Sequence, residues 1–432
     1  MDTYTFATRV SRLTDGQRLV TQDHATHPDA EVTVKPSPEP EERDDRAPLE
    51  RFRSKPRNPL SVTDLVSPAW CELQYFYTLS KFGRKPRTQA MQRGSVIHEK
   101  LEREVHTFVP VQAKSKEDKF GLKIWNAIQG LRCLRETGLT RELQVWGVIE
   151  GQVVNGIIDE LSYACPDEEL EEKVELAKAQ KSGGTLPLGQ SSIEQAFQKA
   201  VETSRQSAED NADGWLGALK PDRSVYISDT KTRGMHSLPT GASLRPTWMQ
   251  LMLYRKLLES LALNTVDAET IFARYNLAPL ETFTEKFMLD AGALGSDEMP
   301  LDDDDRIGDP LSSNELHSHP NLLSLWSLMI SELQMAVPVV SDILRAEFRH
   351  SKSGAVIGSK LLVYSAEDID KYVKEEMDWW KGGRQARGVD IEEAYKCRIC
   401  DFADVCTWRI TKIEEATEKH RLRRSTRRVS AV

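Results

Sequence analysis

The sequence predicts an α/β fold, a small mixed sheet flanked by helices, and two observations carry that prediction. Two β-branched runs, LQVWGVIEG and QVVNGIIDELSY, flank a Glu150-Gly151 turn, and a third run, SVYISDTK, begins at Ser224; such composition between turn residues marks half-buried strands. Helical patterns lie on either side: RGSVIHEKLEREV and TWMQLMLYRKLLESLA return apolar residues to one face every three or four positions.

A chain of 432 residues with 58 Lys+Arg against 67 Asp+Glu can hold one large domain or two ordinary ones. Hydrophobic residues make up only 39%, which implies a globular body diluted by solvated segments. Residues 1–60 read as a disordered leader, because Pro28, Pro36, Pro38, Pro40, Pro48, Pro56 and Pro59 surround a charge run from Glu41 to Arg46 and little apolar surface is left to offset ordering entropy. Order is expected from Ser61, with one domain over 61–410.

In the first helix Ser67 is the expected N-cap and Pro68 the first helical residue, with Trp70, Leu73, Phe76 and Tyr77 on its apolar face and Cys71 in its first turn. In the next, Gly94, His98 and Glu102 share one face while Ile97, Leu101 and Val105 form the buried stripe. The hairpin then delivers Asp159 near a strand end, and the third strand delivers Asp229. Segments 165–221 and 295–312, rich in Glu, Lys, Gly and Ser or in Asp302 to Asp305, read as disordered insertions. The helix between them sets Gln250 and Tyr254 one turn apart. Further helices are expected near 321–347 and 366–382, and residues 411–432 form a basic tail with five arginines and no acid after Glu418. The apolar stretch Asn321 to Val340 is interrupted by Ser324, Ser327, Ser331, Glu332 and Gln334, so no membrane span is expected. No secretory signal is expected either, since Asp2 and Asp15 lie among early arginines without an apolar block. The interior of the cell follows.

Strand alternation puts Asp229 and Lys231 on one face. Two carboxylates, Asp159 and Asp229, suit Mg²⁺ or Mn²⁺, which activates water and neutralises charge on a phosphate, while an ammonium beside them orients the water. An Asp-x-Lys triplet on a strand is by itself most often an exposed ion pair worth about 0 to 1 kcal/mol, so its company decides. Six cysteines are too few for a disulfide framework. Cys397-x2-Cys400-x5-Cys406, with Cys71 far upstream, can clamp one metal centre, either a zinc ion or a [4Fe-4S] cluster; Cys133 and Cys165 fall outside that pattern. No G-x4-G-K-[ST] phosphate loop occurs, which excludes an ATP-driven motor of that type.

Gly94-x3-His98, GIIDEL, SDTKTR and Gln250-x3-Tyr254, in that order, resemble the motif series of the RecB-like branch of the PD-(D/E)XK nuclease superfamily. Ile158 stands where the superfamily has Pro, and the second acid is Asp rather than Glu. The resemblance implies phosphodiester hydrolysis: Asp159, Asp229 and the Thr230 carbonyl on the catalytic metal, His98 on a second, Lys231 positioning the water, and Gln250 with Tyr254 fixing water or the scissile phosphate. A lone early cysteine plus C-x2-C-x5-C resembles the iron-sulfur staple of the same nucleases, which implies a [4Fe-4S] cluster on Cys71, Cys397, Cys400 and Cys406.

SVTDL, WCELQ, GSVIHEKLE, GIIDEL, SDTKTR and the terminal cysteines together are similar to the exonuclease V family over Ser61 to Arg409. That similarity implies a single-stranded DNA exonuclease acting from a 5′ end, releasing short oligonucleotides, in DNA replication, repair or genome maintenance. It implies a monomer in the mitochondrion or nucleus, fungal relatives favouring the mitochondrion, with a single-strand DNA-binding protein as a candidate partner. Arg84, Lys85, Arg93, Arg233 and Arg245 are the candidate strand-binding cations, with Arg384 and Arg387 near a Trp379-Trp380 pair expected to pack in the core. The rival reading from another class is a zinc-containing nucleic-acid-binding protein without catalysis.

Overall fold

The computed structural model describes residues 4–9, 44–181, 223–292 and 315–429. Its first half runs β1 (Tyr4–Arg9), α1 (Pro48–Arg53), β2 (Leu60–Ser61), α2 (Val62–Val66), α3 (Glu72–Phe82), α4 (Gln89–Arg103), β3 (Thr107–Gln112), α5 (Lys116–Thr137), β4 (Leu139–Ile149), β5 (Gln152–Ser162) and α6 (Glu168–Lys181). The second half runs β6 (Ser224–Arg233), α7 (Arg245–Ala262), α8 (Ala268–Tyr275), α9 (Glu285–Gly292), α10 (Glu315–Ser318), α11 (Leu322–Ala336), β7 (Val339–His350), β8 (Val356–Val363), α12 (Ala366–Trp380) and α13 (Thr407–Val429).

The expected hairpin forms. Glu150 and Gly151 both take positive φ, 49° and 77°, the geometry of a two-residue type I′ turn, and β4 and β5 pair antiparallel outward from Ile149↔Gln152. β4 occupies one edge of β5 along its length. The other edge is shared: β2 pairs parallel at Val154 and Asn155, and β6 pairs antiparallel at Glu160, Leu161 and Ser162. β7 adds parallel to β6 and β8 antiparallel to β7, completing a six-stranded mixed sheet. β1 and β3 form a separate antiparallel ribbon. α5 and α7 cover the sheet through a core that fully buries Trp125, Trp146, Phe272 and Phe287. Among the described residues no helix is long and apolar enough to cross a membrane.

Several local expectations are corrected. Order begins before Ser61: Pro48 starts α1 from its first turn and Phe52 is buried, so tertiary contact supplies what the Pro-rich composition lacks. Residues 10–43 lie outside the described residues, as do 182–222 and 293–314, which include most of both expected insertions; the first of these opens with helix α6. Ser67 closes α2 and begins a short 3₁₀ turn, so the next helix starts at Glu72 and Cys71 is its extended N-cap, with φ of −167°. On α4 only Gly94 and Leu101 are buried; Ile97 and Val105 of the expected stripe are half-buried, and the Gly94, His98 and Glu102 face lines an open cleft. The helix expected over 321–347 ends at Ala336, ahead of Pro338, and Val339 onward is strand β7: a proline cannot continue the helix, and the β-branched run behind it finds β6 to pair with. The basic tail is not separate from 411, since α13 runs through it from Thr407. The Trp379-Trp380 pair is buried, as expected.

The SVTDL segment shows how the amino-terminal segments are anchored. Asp64 closes a capping box with Ser61, accepting from Ser61 N–H at 2.9 Å, and also accepts from Tyr75 Oη at 2.5 Å and Arg53 Nε at 3.0 Å. One carboxylate thereby joins α1, α2 and α3. Burial pushes its pKa up, but the Arg53 hydrogen bond and charge, with Tyr75 and Ser61, reverse that and hold it below the ordinary value. The depressed value means this stabilisation is present at neutral pH and is lost as pH falls through the folded-state pKa. Asp64→Ala is expected to cost about 3 to 5 kcal/mol by leaving the Arg53 guanidinium without its carboxylate, read as a lowered urea midpoint at pH 7, with a smaller difference from the parent in strong acid.

Candidate active site and cysteine cavity

The site begins where a ladder stops. β5 and β6 pair at Ser162↔Tyr226, Leu161↔Ile227 and Glu160↔Ser228 and no further, so Asp159 and Asp229 are the next residues on two diverging strands. α7 and α2 pack closely on β5 just before the fork: a Cβ on Gly156 would lie 2.6 Å from Tyr254 Cε1 and 2.8 Å from Val62 Cγ2. Only a glycine on β5 lets the Tyr254 ring and Val62 come this near.

Divergence frees backbone groups, and the site uses them. Thr230 N–H donates to Asp159 Oδ2 at 2.8 Å, and the Thr230 carbonyl lies 3.1 Å from His98 Nε2. α4 brings His98 this close because a Cβ on Gly94 would already stand 3.0 Å from Thr232 Oγ1; helix and strand nearly touch there. As alternation requires, Asp229 and Lys231 face the same way, with Lys231 Nζ 2.9 and 2.7 Å from the two Asp229 oxygens. Lys231 also donates to Gln250 Oε1 at 2.8 Å, and Gln250 Nε2 donates to Tyr254 Oη at 3.2 Å. Two hydrogen-bonded groups, His98–Thr230–Asp159 and Asp229–Lys231–Gln250–Tyr254, thus meet along β6.

Glu142 was missed from sequence. Its carboxylate lies 3.2 Å from His98 Nδ1, and its backbone is in the left-handed region at φ 54°, uncommon for a residue with a side chain. The signal was available: pairing outward from the Glu150-Gly151 turn sets position 142 across from 159, and directly opposed side chains on a hairpin interact. His98, Glu142 and Asp159 each offer a ligand atom, and these lie within 4.8 Å of one another, a spacing that one cation can bridge. The carboxylate of Asp229 is turned to Lys231 instead.

The electrostatics follow from crowding acids in a buried fork. Burial first, then the Asp229 charge, pushes Asp159 up to about 7. Burial alone would lower His98, but the Glu142 hydrogen bond and the Asp159 and Asp229 charges raise it to about 9. Both ring nitrogens face oxygen acceptors, the arrangement of an imidazolium. Lys231 is likewise raised: Asp229 and Asp159 outweigh its burial. His98, Glu142 and Lys231 face an open cleft of about 780 Å³ between α4 and β6.

Of the expected strand-binding cations, Arg93 is exposed on α4 and Arg233 lies at the far end of β6. Arg245 pairs with Glu393, a carboxylate it shares with Lys396 at 2.6 Å. Arg384 is likewise held by Glu72 at 2.7 Å. Arg84 and Lys85 lie together on the loop after α3.

Cys71, Cys397, Cys400 and Cys406 all line one small cavity, closed over by Trp70, Tyr77, Phe402 and Trp408, and none forms a disulfide. Burial and then the nearness of the other three thiols push Cys71 up, and Cys397 shifts the same way. No three of these sulfurs fall within 4.8 Å of one another; among the described residues only the His98 group does. The cavity sits at a seam between distant segments: Arg387 N–H donates to Glu72 at 2.6 Å, Leu73 N–H to the Arg387 carbonyl at 2.9 Å, and Lys396 Nζ to the Trp70 carbonyl at 2.9 Å. Cys133 is buried in α5, away from this cavity.

Carboxylates, an imidazole and a lysine paired to an acid, gathered in the fork of a mixed sheet, are the equipment of a phosphodiester-cleaving nuclease. A family model described as "Exonuclease V - a 5' deoxyribonuclease" matches residues 47–409. The chain is 26% identical over 367 residues to exonuclease V of Danio rerio, covering 84% of this chain and 73% of that one. It is 25% identical over 425 residues to the mitochondrial exonuclease V of Eremothecium gossypii, covering 83% and 77%, and 23% identical over 442 residues to that of Candida glabrata, covering 83% and 81%. The chain belongs to the exonuclease V family and is a nuclease acting on DNA.

Gly156→Ala tests the fork. The added methyl must displace Tyr254 or Val62, so a loss of about 1 to 3 kcal/mol and at least a tenfold fall in nuclease turnover are expected, checked by thermal unfolding and a gel assay of the same preparation.

Proposed function

We propose that the protein is a divalent-metal-dependent exonuclease that degrades single-stranded DNA from a 5′ end into short oligonucleotides, on a PD-(D/E)XK core. The observation that carries this reading is the fork, where donors from three separate elements converge beside a lysine held by one of the acids. His98, Asp159, Asp229 and the Thr230 carbonyl, joined by Glu142, would hold Mg²⁺ or Mn²⁺; the donors are hard oxygens plus one imidazole, and burial and the Asp229 charge, which push Asp159 up, are what a bound cation would offset. A bound cation supplies Lewis acidity toward the phosphate and eases deprotonation of water.

The chain's own residues do the rest. Lys231 keeps its proton because Asp229 and Asp159 face it, so its ammonium is available to orient water against the phosphorus or to stabilise the charge that builds on phosphate oxygens. Gln250 fixes the Lys231 ammonium from the other side, and Tyr254 fixes Gln250. To act as a ligand through Nε2, His98 would give up its proton and its hydrogen bond to the Thr230 carbonyl, while Nδ1–H would go on donating to Glu142, the acceptor that sets the ring's orientation.

The four cysteines fit a [4Fe-4S] cluster better than zinc. Tetrahedral zinc with Zn–S near 2.3 Å would draw all four sulfurs to about 3.8 Å apart, whereas no three of them lie within 4.8 Å of one another. An apolar, aromatic-walled cavity also suits a cluster. Its part in this reading is structural, tying the segment before α3 to the chain from Cys397 to Cys406. Two fungal relatives bear names that place them in mitochondria, which favours the mitochondrion over the nucleus for this chain as well.

Asp229→Ala is expected to lower Mg²⁺-dependent cleavage of 5′-labelled single strands by at least a thousandfold while strand binding, measured in Ca²⁺, is kept or tightened, since a carboxylate is removed from the path of a polyanion. Near-normal turnover of this variant would overturn the reading. Cys400→Ser is expected to lower bound iron per chain and the visible absorbance of the purified protein, with weaker strand binding although no cysteine reaches the fork. An iron-free parent containing one zinc would replace the cluster with the zinc site.

A further inference from the structure

On the side of β5 that carries Asn155, the surface opens into a groove of about 610 Å³. Arg57, Arg84, Lys85 and Lys123 line it. Its one lining carboxylate is Asp64, already engaged by Arg53, Tyr75 and Ser61, so the groove's charge is not cancelled from within. Arg57 and Arg84 are exposed and enter no ion pair among the described residues. That contrasts with the cations at the cysteine seam, where Arg245 and Lys396 share Glu393 and Arg384 pairs with Glu72. Clustered cations without acids repel one another, and such a cluster is tolerated where a polyanion comes and goes.

The groove and the fork share strand β5. Asn155 lies four residues before Asp159 on the same strand, about 13 Å along it. Burial first, and then the charge of nearby Lys231, holds Lys85 below its ordinary pKa. The cleft on the other side carries Glu99, Glu102 and Glu142 beside Arg87 and Arg103, a mixed surface with no comparable pull on phosphates.

We propose that this groove is the phosphate track of the enzyme, in which Arg57, Arg84 and Lys85 neutralise the backbone of the single strand on its way to the fork. The inference rests on the single-strand substrate of the proposed function and adds a path to it. Guanidinium and ammonium groups on an open wall contact phosphate without reading bases, so binding there is insensitive to sequence and sensitive to salt.

The test uses full-length protein in Ca²⁺ with a fluorescent oligothymidylate, comparing the parent with Arg57→Gln/Arg84→Gln across a salt series. Loss of two phosphate contacts should flatten the slope of log K against log salt by about 1 to 1.5, at about 0.7 per single-strand phosphate, and weaken binding about tenfold or more at moderate salt. Hydrolysis of a small chromogenic phosphodiester in Mg²⁺, too short to reach the groove, should stay within twofold of the parent, which also reports intact folding. If the parent binds the strand and the double variant binds with equal affinity and slope, the track is overturned while the nuclease reading stands. If the parent itself does not bind single strands, the substrate reading falls and the track falls with it. If the variant loses the small-substrate activity too, the residues serve the site or the fold and the track is again overturned.

Discussion

The rest of the structure depends on two strands that pair over three residues and then part. A continued β5–β6 ladder would bring Asp159 and Asp229 side by side and use up the Thr230 amide in the sheet. Because the ladder ends at Glu160↔Ser228, that amide is left to hold Asp159 and its carbonyl to meet His98. Beside the fork, Tyr254 and Val62 pack against β5 at Gly156, where any side chain would collide with them. Burying apolar surface at this point therefore stabilises the fold and shapes the site at once, so the aromatic member of the Gln250-Tyr254 pair has a structural task as well as a polar one.

Crowding several acids in such a place is costly unless cations or protons answer them. The protein answers with its own groups: Lys231 between Asp229 and Gln250, His98 between Glu142 and Thr230, and an Asp159 whose pKa is pushed up to about 7. The same residues that satisfy the fork are those whose release would accommodate a divalent cation, so the network that stabilises the folded chain and the donor set are one structure.

A second set of polar ties works at the opposite scale of sequence separation. Asp64 fastens α1 and α3 to the entry of the sheet, and Glu72 accepts both from Arg384 and from the Arg387 backbone, over three hundred residues later in the chain. The cysteine cavity lies on this seam. Segments with little apolar surface of their own are thus held by buried carboxylates, each accepting from two or more donors, and this is why the Pro-rich approach from residue 44 is ordered despite its composition.

What the sequence determined by itself is everything that depends on local period. The hairpin follows from the Glu150-Gly151 turn, the common face of Asp229 and Lys231 from alternation by two, and the facing of Gly94 with His98 and of Gln250 with Tyr254 from the helical turn; these hold because side-chain direction is set by backbone geometry within a few residues. Glu142 lay within reach of the same logic, since the hairpin register alone sets it across from Asp159. Tertiary structure alone decided the rest. That the ladder stops at Asp159, that Arg245 is tied to Glu393, that Val339–His350 is a strand and that Cys71 caps a helix all depend on partners distant in the chain. No local pattern reports which partner a strand edge, a guanidinium or a thiol will meet once the chain has closed on itself.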